Sequence, residues 1–296
     1  MTQYETFNHC PVCGTNGARM WGNVNGFPMR RCRSCGHLYV ASAISEEMLA
    51  KAYEKDYYSP GTGSNAKTGY DDYLLNSTKR LEGFNRRLRD LERHTAPPGR
   101  TLDYGCAIGL CVKAAQNRGW DAIGYDRSEW ATNFGRGALG INIVSGAVPA
   151  FGPAKFDLVT LWDCIEHLTD PRGTLVNIHS WLKPGGILAV NTVNSSSLGA
   201  RLAGRSWRHV APPLHIHLFS AKSLQVLIKD CGFSVVERGC EGIVFNAKKP
   251  RQSSSSNLSR VDDLLCHWRL RGIATMLNLR DEVAIVARRS EPKSET

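Results

Sequence analysis

The stretch Leu102-Asp103-Tyr104-Gly105-Cys106-Ala107-Ile108-Gly109, with Gly124-Tyr125-Asp126 about twenty residues later, constrains this chain more than any other feature. The short apolar run Arg100–Tyr104 predicts a buried strand, and Leu110–Arg118 a helix packed behind it. Gly105 and Gly109 lie in the turn between them. Lacking Cβ atoms, they let a ligand approach the backbone, while the helix start offers N–H groups with no intrahelical partner. A second strand, Asp121–Tyr125, runs into Asp126, whose carboxylate can accept hydrogen bonds from both hydroxyls of a ribose. Together these elements form a crossover suited to a nucleoside; two glycines alone would also serve merely to pack helix on strand.

What is missing narrows the ligand. A dinucleotide turn spaces its glycines G-x-G-x-x-G around a pyrophosphate. Here the spacing is G-x-x-x-G, and Asp103 stands in front, where an acid repels phosphate and suits a cationic amine. The turn resembles motif I, D-x-G-x-G-x-G, of the Rossmann-like S-adenosylmethionine-dependent methyltransferases, with Ala107 in place of the central glycine. Further landmarks follow in that family's order: the F-D-L-V…E-H-L stretch from Phe156 to Leu168, and Leu182-Lys183-Pro184-Gly185-Gly186-Ile187-Leu188 before the fifth strand. The likeness is to the bacterial ubiquinone-biosynthesis-like subgroup. It implies an α/β fold with a seven-stranded Rossmann-like sheet, the last strand antiparallel, and helices on both faces. It also implies S-adenosylmethionine as cofactor, S-adenosylhomocysteine as product, and a cofactor site of Asp103, Gly105, Cys106, Ala107, Gly109, Asp126, Arg127 and Asp163. The acid usual after the third strand of the family is replaced by Gly146-Ala147-Val148, so adenine is expected to be held by backbone groups and apolar packing.

The N-terminal region carries different chemistry. Cys10-Pro11-Val12-Cys13 and Cys32-Arg33-Ser34-Cys35, each followed by a glycine, flank a hairpin over Trp21–Arg31 with Asn25-Gly26 as its turn. Two such knuckles face four thiolates toward a tetrahedron, the geometry Zn²⁺ prefers. Cys10, Cys13, Cys32 and Cys35 are therefore the expected structural metal ligands; a redox pair and scattered core cysteines are the rival readings. The segment is similar to a rubredoxin-like zinc ribbon. His9 and His37 read as bystanders beside a complete cysteine set.

The expected organisation is a zinc ribbon over 1–42, a helical cap or linker over 43–98, and a methyltransferase domain over 99–290 with an excursion at about 247–279. Helical spacing is present over 45–58, from Tyr70 to His94, and over 258–279. The last of these could form a lid, a dimer face or a lipid-surface helix. With 296 residues, ten cysteines are too few for a disulfide scaffold, and the opening MTQYETFNHCPVCG has no apolar core of a secretion signal. No run approaches membrane-spanning length, so the expectation is a reduced, cytoplasmic protein. A formal charge of +10 is compatible with an anionic partner, whether nucleic acid, a nucleotide-linked substrate or a lipid surface reached peripherally. It equally describes a solvated basic face.

Three histidines are candidates for a general base: His167, His215 and His217. A neutral imidazole near the sulfonium methyl could take the acceptor's proton. His215 and His217 would share one face if their stretch is extended. The Asp163, Glu166, His167 pattern resembles the E-x-x-E-H metal cluster of ubiquinone-pathway O-methyltransferases and small-RNA 2′-O-methyltransferases, which would place Mg²⁺ beside an acceptor hydroxyl; the rival reading is that these residues only shape the pocket. The resemblance implies O-methylation of a small hydroxylated acceptor, such as a surface-glycan sugar, a lipid-linked glycan or a secondary metabolite. RNA or ribosomal-protein methylation is the alternative, and a non-catalytic cofactor-binding module a further one.

Overall fold

The computed structural model describes residues 9–45, 47–49, 76–239 and 281–291. The helix expected over 258–279 and the excursion at 247–279 fall outside these residues, as does most of the helix expected over 45–58.

From Arg100 onward, strand and helix alternate. The strands are β4 (Arg100–Tyr104), β5 (Asp121–Asp126), β6 (Ile143–Ser145), β7 (Phe156–Trp162), β8 (Leu182–Val193), β10 (Phe233–Arg238) and β11 (Glu282–Arg289). They form one sheet in the order β10-β11-β8-β7-β4-β5-β6. The run from β8 to β6 is parallel, and β11 inserts antiparallel between β8 and β10. This is the expected Rossmann-like methyltransferase sheet. One local reading changes. The Leu182-Lys183-Pro184-Gly185-Gly186 segment, placed by its motif before the fifth strand, instead opens it: β8 starts at Leu182, which pairs with Phe156 before the register shifts and Ile187 pairs with Leu158.

The helices on the sheet are α1 (Ser77–Leu91), α2 (Leu110–Asn117), α3 (Glu129–Leu139), α4 (Pro171–Trp181), α5 (Leu198–Ala203) and α6 (Ala221–Asp230). Their ends are written in the sequence. Ser128 caps α3 by accepting from Ala131 N–H, Asp170 caps α4 ahead of a proline, and Ser220 with Ser223 forms a reciprocal capping box on α6. The strand period of two sends alternate side chains to opposite faces of the sheet. Leu188, Val190, Ile285 and Ala287 meet Leu175, Ile178, Leu224 and Leu227 of α4 and α6 on one face. Ile187, Ala189, Ala284 and Val286 share the other face with Leu88 and Leu91 of α1 and Val112 and Ala115 of α2. Each leucine, isoleucine or valine among them, fully buried, contributes about 1.5–3 kcal/mol. Together they hold the sheet flat against both helical layers, with its C-terminal edge fixed in space.

The N-terminal residues build a second sheet from β1 (Arg19–Val24), β2 (Phe27–Arg31) and β3 (Leu38–Val40), with Asn25-Gly26 turning the hairpin as expected. Its fourth strand comes from far along the chain: β9 (His217–Leu218) pairs antiparallel with β3, Leu38 opposite Leu218 and Tyr39 opposite His217. Phe27, Met29, Leu38 and Val40 share a buried cluster with Val193, Trp207, Ile216 and Leu218. The cysteine-bearing sheet and the large sheet are thus packed as one body, joined through the segment after β8.

Candidate active site and cysteine centre

At the C-terminal edge of the parallel strands lies a cavity of about 340 Å³. Its lining includes Gly105, Ala107, Asp126, Arg127, Asp163 and His167, each at the end of a strand or in the turn that follows. The backbone of the first turn explains its residue choice. Gly105, Ala107 and Gly109 all have left-handed φ, at +79°, +51° and +81°. Glycine adopts this region freely; alanine does so at some cost. A Cβ on Gly105 would lie 2.4 Å from Cys164 Sγ, and one on Gly109 2.2 Å from Ile141 Cδ1. Both positions therefore need glycine twice over, for conformation and for space.

Asp126 locks the turn. Its Oδ2 accepts from Ala107 N–H at 2.7 Å and its Oδ1 from Ser128 N–H at 2.9 Å. Burial raises its pKa against the opposing pull of those two N–H groups. Asp103, by contrast, does not line the cavity. It is buried beneath the turn, accepting from Thr160 Oγ1 at 2.6 Å, and burial pushes its pKa up to about 7. Cys106 and Gly109 likewise face the interior rather than the cavity: a Cβ on Gly124 would meet Cys106 Sγ at 2.6 Å. Gly146, Ala147 and Val148, where the family's acid is missing, do line the cavity.

The opposite wall follows β7. Asp163 also has a left-handed φ, +49°, and is held on both sides by Asn191. Its N–H donates to Asn191 O, and its Oδ1 accepts from Asn191 Nδ2, each at 3.0 Å. One turn on, buried Glu166 accepts from Thr192 Oγ1 at 2.7 Å, and burial raises its pKa to about 8. Asn191 and Thr192 were not singled out by the sequence reading. The signal was present: two polar residues end the apolar run Ile187–Val190, and buried polar groups at a strand's C-terminal end need partners.

His167 and His215 come together, their rings 4.8 Å apart edge to face. His167 Nδ1 is 2.9 Å from Leu214 O and His215 Nδ1 2.7 Å from His209 O. A carbonyl only accepts, so Nδ1 carries the proton in each ring and Nε2 the lone pair. Burial lowers His167 to about 4, leaving it neutral at physiological pH. Ligand atoms of Glu166, His167 and His215 lie within 4.8 Å of one another. His217 does not join them. Residues 215–216 precede the strand at His217 rather than belonging to it, and the two rings have different neighbours: His215 meets His167 and His209, His217 meets His37 and Phe219. His217 instead sits in the buried interface with the N-terminal sheet, its Nδ1 3.0 Å from His37 Nε2. It is a packing residue, and so is His37.

The four N-terminal cysteines also converge. Cys10 and Cys35 Sγ are 3.6 Å apart, as are Cys13 and Cys32, and all four sulfurs lie within 4.8 Å of one another. A tetrahedral zinc site with Zn–S near 2.3 Å has edges of about 3.8 Å. Gly14 N–H and Gly36 N–H return to the carbonyls of Cys10 and Cys32, and both glycines are left-handed, as knuckle turns require. The hydrogen bond from Cys35 lowers the pKa of Cys10, which favours the thiolate that a metal requires. The cluster fits Zn²⁺.

Known proteins share this architecture. A ubiquinone biosynthesis O-methyltransferase of Methylococcus capsulatus is 29% identical over 175 residues, 54% of this chain and 73% of that protein. One from Cereibacter sphaeroides is 30% identical over 161 residues, 50% of this chain and 64% of that protein. Among solved structures, S-adenosylmethionine-dependent methyltransferases of Archaeoglobus fulgidus and Mesorhizobium loti align with TM-scores of 0.50 and 0.51. They cover 73% and 71% of this chain, and 98% and 100% of their own, at 22% and 17% identity, which is a likeness of fold. The family model for the methyltransferase domain matches residues 78–238, the span holding the glycine turn, Asp126, Asp163, His167 and His215. The chain therefore belongs to the methyltransferase-domain family and is an S-adenosylmethionine-dependent methyltransferase.

Proposed function

We propose that this enzyme O-methylates a small hydroxylated acceptor, with His167 as the proton acceptor at the reacting oxygen. The observation that carries the reading is His167 itself: it lies in the cavity wall beside Asp163, is neutral, and is pinned through Nδ1 so that Nε2 bears the lone pair. S-adenosylmethionine, when bound, supplies an electrophilic methyl on a cationic sulfur. Gly105 and Ala107 give the ligand access to the backbone, and Asp126 accepts from its ribose hydroxyls while Asp103 adds negative charge from beneath. Asp163, fixed by Asn191, stands at the methionine end, and Arg127 with Ala147 and Val148 borders the adenine. These buried carboxyls, both raised in pKa, are the feature of this structure that a cationic ligand would relieve. With the cofactor bound, His167 Nε2 would take the hydroxyl proton as the acceptor oxygen bonds the methyl and the sulfur–methyl bond breaks to leave S-adenosylhomocysteine. The relatives named for ubiquinone biosynthesis O-methylation support oxygen as the acceptor atom.

A second reading adds a divalent cation at Glu166, His167 and His215, favoured by the convergence of their ligand atoms and by the backbone carbonyls that orient both rings. Two imidazoles and a carboxylate suit a borderline ion better than the Mg²⁺ expected from the sequence. Such an ion would lower the pKa of a bound hydroxyl. In either case the four cysteines hold a structural Zn²⁺, and no helix among the described residues is long and apolar enough to cross a membrane. The free cysteines at the described positions support a reducing, cytoplasmic setting.

The test is a tritiated-methyl assay over cell fractions, followed by purified enzyme on the labelled class. Label in small hydroxylated metabolites or glycans is expected; label in RNA or ribosomal protein would overturn the acceptor class. His167→Asn is expected to lower turnover by roughly 10²–10⁴-fold with unchanged cofactor affinity. Activity fully retained in excess chelator, with cysteine-bound zinc still present, would rule out the second cation.

A further inference from the structure

We infer that the N-terminal zinc ribbon is a positioning device for the segment 211–218, the wall behind the cavity-lining His167: metal binding at the cysteines fixes this wall, and through it His215, whose ring packs edge to face on that of His167. This rests on the reading of the cysteines as a zinc centre and of His215 as part of the site. A ribbon serving recognition alone would hang from the catalytic domain; this one is built into it.

Consecutive backbone hydrogen bonds lead from the ribbon to the site. Val40 N–H on β3 donates to Ile216 O at 2.9 Å, and Ile216 N–H donates to Glu166 O at 2.9 Å. Ile216 is thus clamped between the ribbon and the turn that carries Glu166 and His167, with His215 as its neighbour. Pairing of Leu38 with Leu218 and Tyr39 with His217 extends the clamp by two residues. At the other end of the segment, Asn25 Nδ2 on the hairpin turn donates to Pro212 O at 3.2 Å.

The metal knuckles also hold helix α6, which follows this wall, and helix α4, which follows the turn of His167. Ser34, inside the second knuckle, accepts from Lys222 Nζ on α6 at 2.9 Å, and Val12, inside the first, accepts from Arg172 on α4. His37, two residues past Cys35, is fully buried against His217 and Phe219. Beneath these contacts the ribbon supplies Phe27, Met29, Leu38 and Val40 to the core on which Ile216 and Leu218 rest. A ribbon this short has too small a core of its own to keep β3 in register without a staple. Loss of metal should therefore release β3, and the wall with it. The cofactor turn, held by Asp126 and by β4–β5 pairing, has no such dependence.

The experiment is amide hydrogen exchange on the full chain, before and after zinc removal, beside calorimetric titration with S-adenosylmethionine. Zinc content is measured first; protein purified without it would fail the zinc reading separately. On removal, protection of Val40, Ile216 and Leu218 should fall at least tenfold and return with added Zn²⁺. Protection of β4 and β5 and cofactor affinity should stay within about twofold. Unchanged protection at 211–218 would overturn the inference. Equal loss across the seven-stranded sheet would also do so, because the ribbon would then be holding the whole fold. Asn25→Gly tests the contact without touching the cysteines: glycine suits the left-handed φ of +53° and deletes only the amide. Exchange should rise over residues 211–216 with zinc retained, and an unchanged pattern there would count against the wall.

Discussion

The backbone N–H of Ala107 points at the carboxylate of Asp126, 2.7 Å away, so the first turn and the end of the second parallel strand hold each other in place. The acid that is expected to meet the ribose is also the acid that shapes the turn beneath it. Asp126→Asn would set an amide nitrogen or a weaker acceptor against two N–H donors. Charge-assisted bonds of this kind contribute roughly 1.5–3 kcal/mol each, so affinity for S-adenosylmethionine should fall by more than tenfold. Isothermal titration measures it; an affinity within twofold of the parent would remove Asp126 from the cofactor site.

Ala107 occupies a left-handed position where its family has glycine, and the strain of such a residue is about 1–2 kcal/mol. Ala107→Gly should leave stability unchanged or raise it by up to about 1 kcal/mol, the relief being offset by the greater backbone freedom of glycine in the unfolded chain. Ala107→Val should destabilise by about 2 kcal/mol or more, since a β-branched residue tolerates this φ least. Urea denaturation of the three proteins checks the order.

Asp103 gives the site a pH dependence. Its pKa is raised by burial to about 7 from 3.8, so the folded, cofactor-free protein binds this proton more tightly than the unfolded chain. Its contribution to stability is fully present below 3.8 and is lost as pH rises through about 7. A cationic ligand reverses the sign of the demand, because it needs the carboxylate ionised. Cofactor affinity should therefore rise with pH up to about pH 7, by at most about tenfold per unit for one linked proton, and then level. The slope that Asp103→Asn removes is this residue's share. A profile identical in the variant would place the titration elsewhere.

Gly135 lies inside α3, where nothing in the local sequence asks for glycine. A Cβ there would stand 2.4 Å from the carbonyl oxygen of Ile108, in the middle of the first turn. Helix α3 approaches the turn so closely that only hydrogen fits between them. Gly135→Ala would ordinarily favour a helix. Here it should destabilise by about 1–3 kcal/mol through overpacking and weaken cofactor binding as the turn shifts. Thermal unfolding with and without ligand separates the two effects.

The parts of the fold that could be read from sequence are those whose cause is local. β4 and β5 begin and end within a residue of the apolar runs that predict them, Ser128 and Ser220 cap the helices they precede, and Gly140 ends α3 in a left-handed turn. The convergence of the four cysteines was legible too, because a doubled C-x-x-C admits few geometries. What could not be read depends on pairs distant in the chain. Nothing near His217 announces that it faces His37, and nothing near Asn191 announces that it holds Asp163. His215 and His217 look equivalent in sequence, yet the first packs on His167 at the cavity and the second on His37 of the ribbon.

The two-residue strand β9 has a consequence for how the chain reaches its final form. His37 and His217, which meet across the ribbon boundary, are 180 residues apart. Made before the residues that follow them here, the cysteine knuckles can capture their metal while the seven-stranded sheet is still unmade. Their sheet, however, lacks an edge partner until residue 218 has been synthesised and the long loop between has closed, a late event in chain entropy and in time. During that interval β3 presents an unpaired edge. The ribbon is thus made before the large sheet yet completed only after β8, and the wall behind His167 is assembled in the same step.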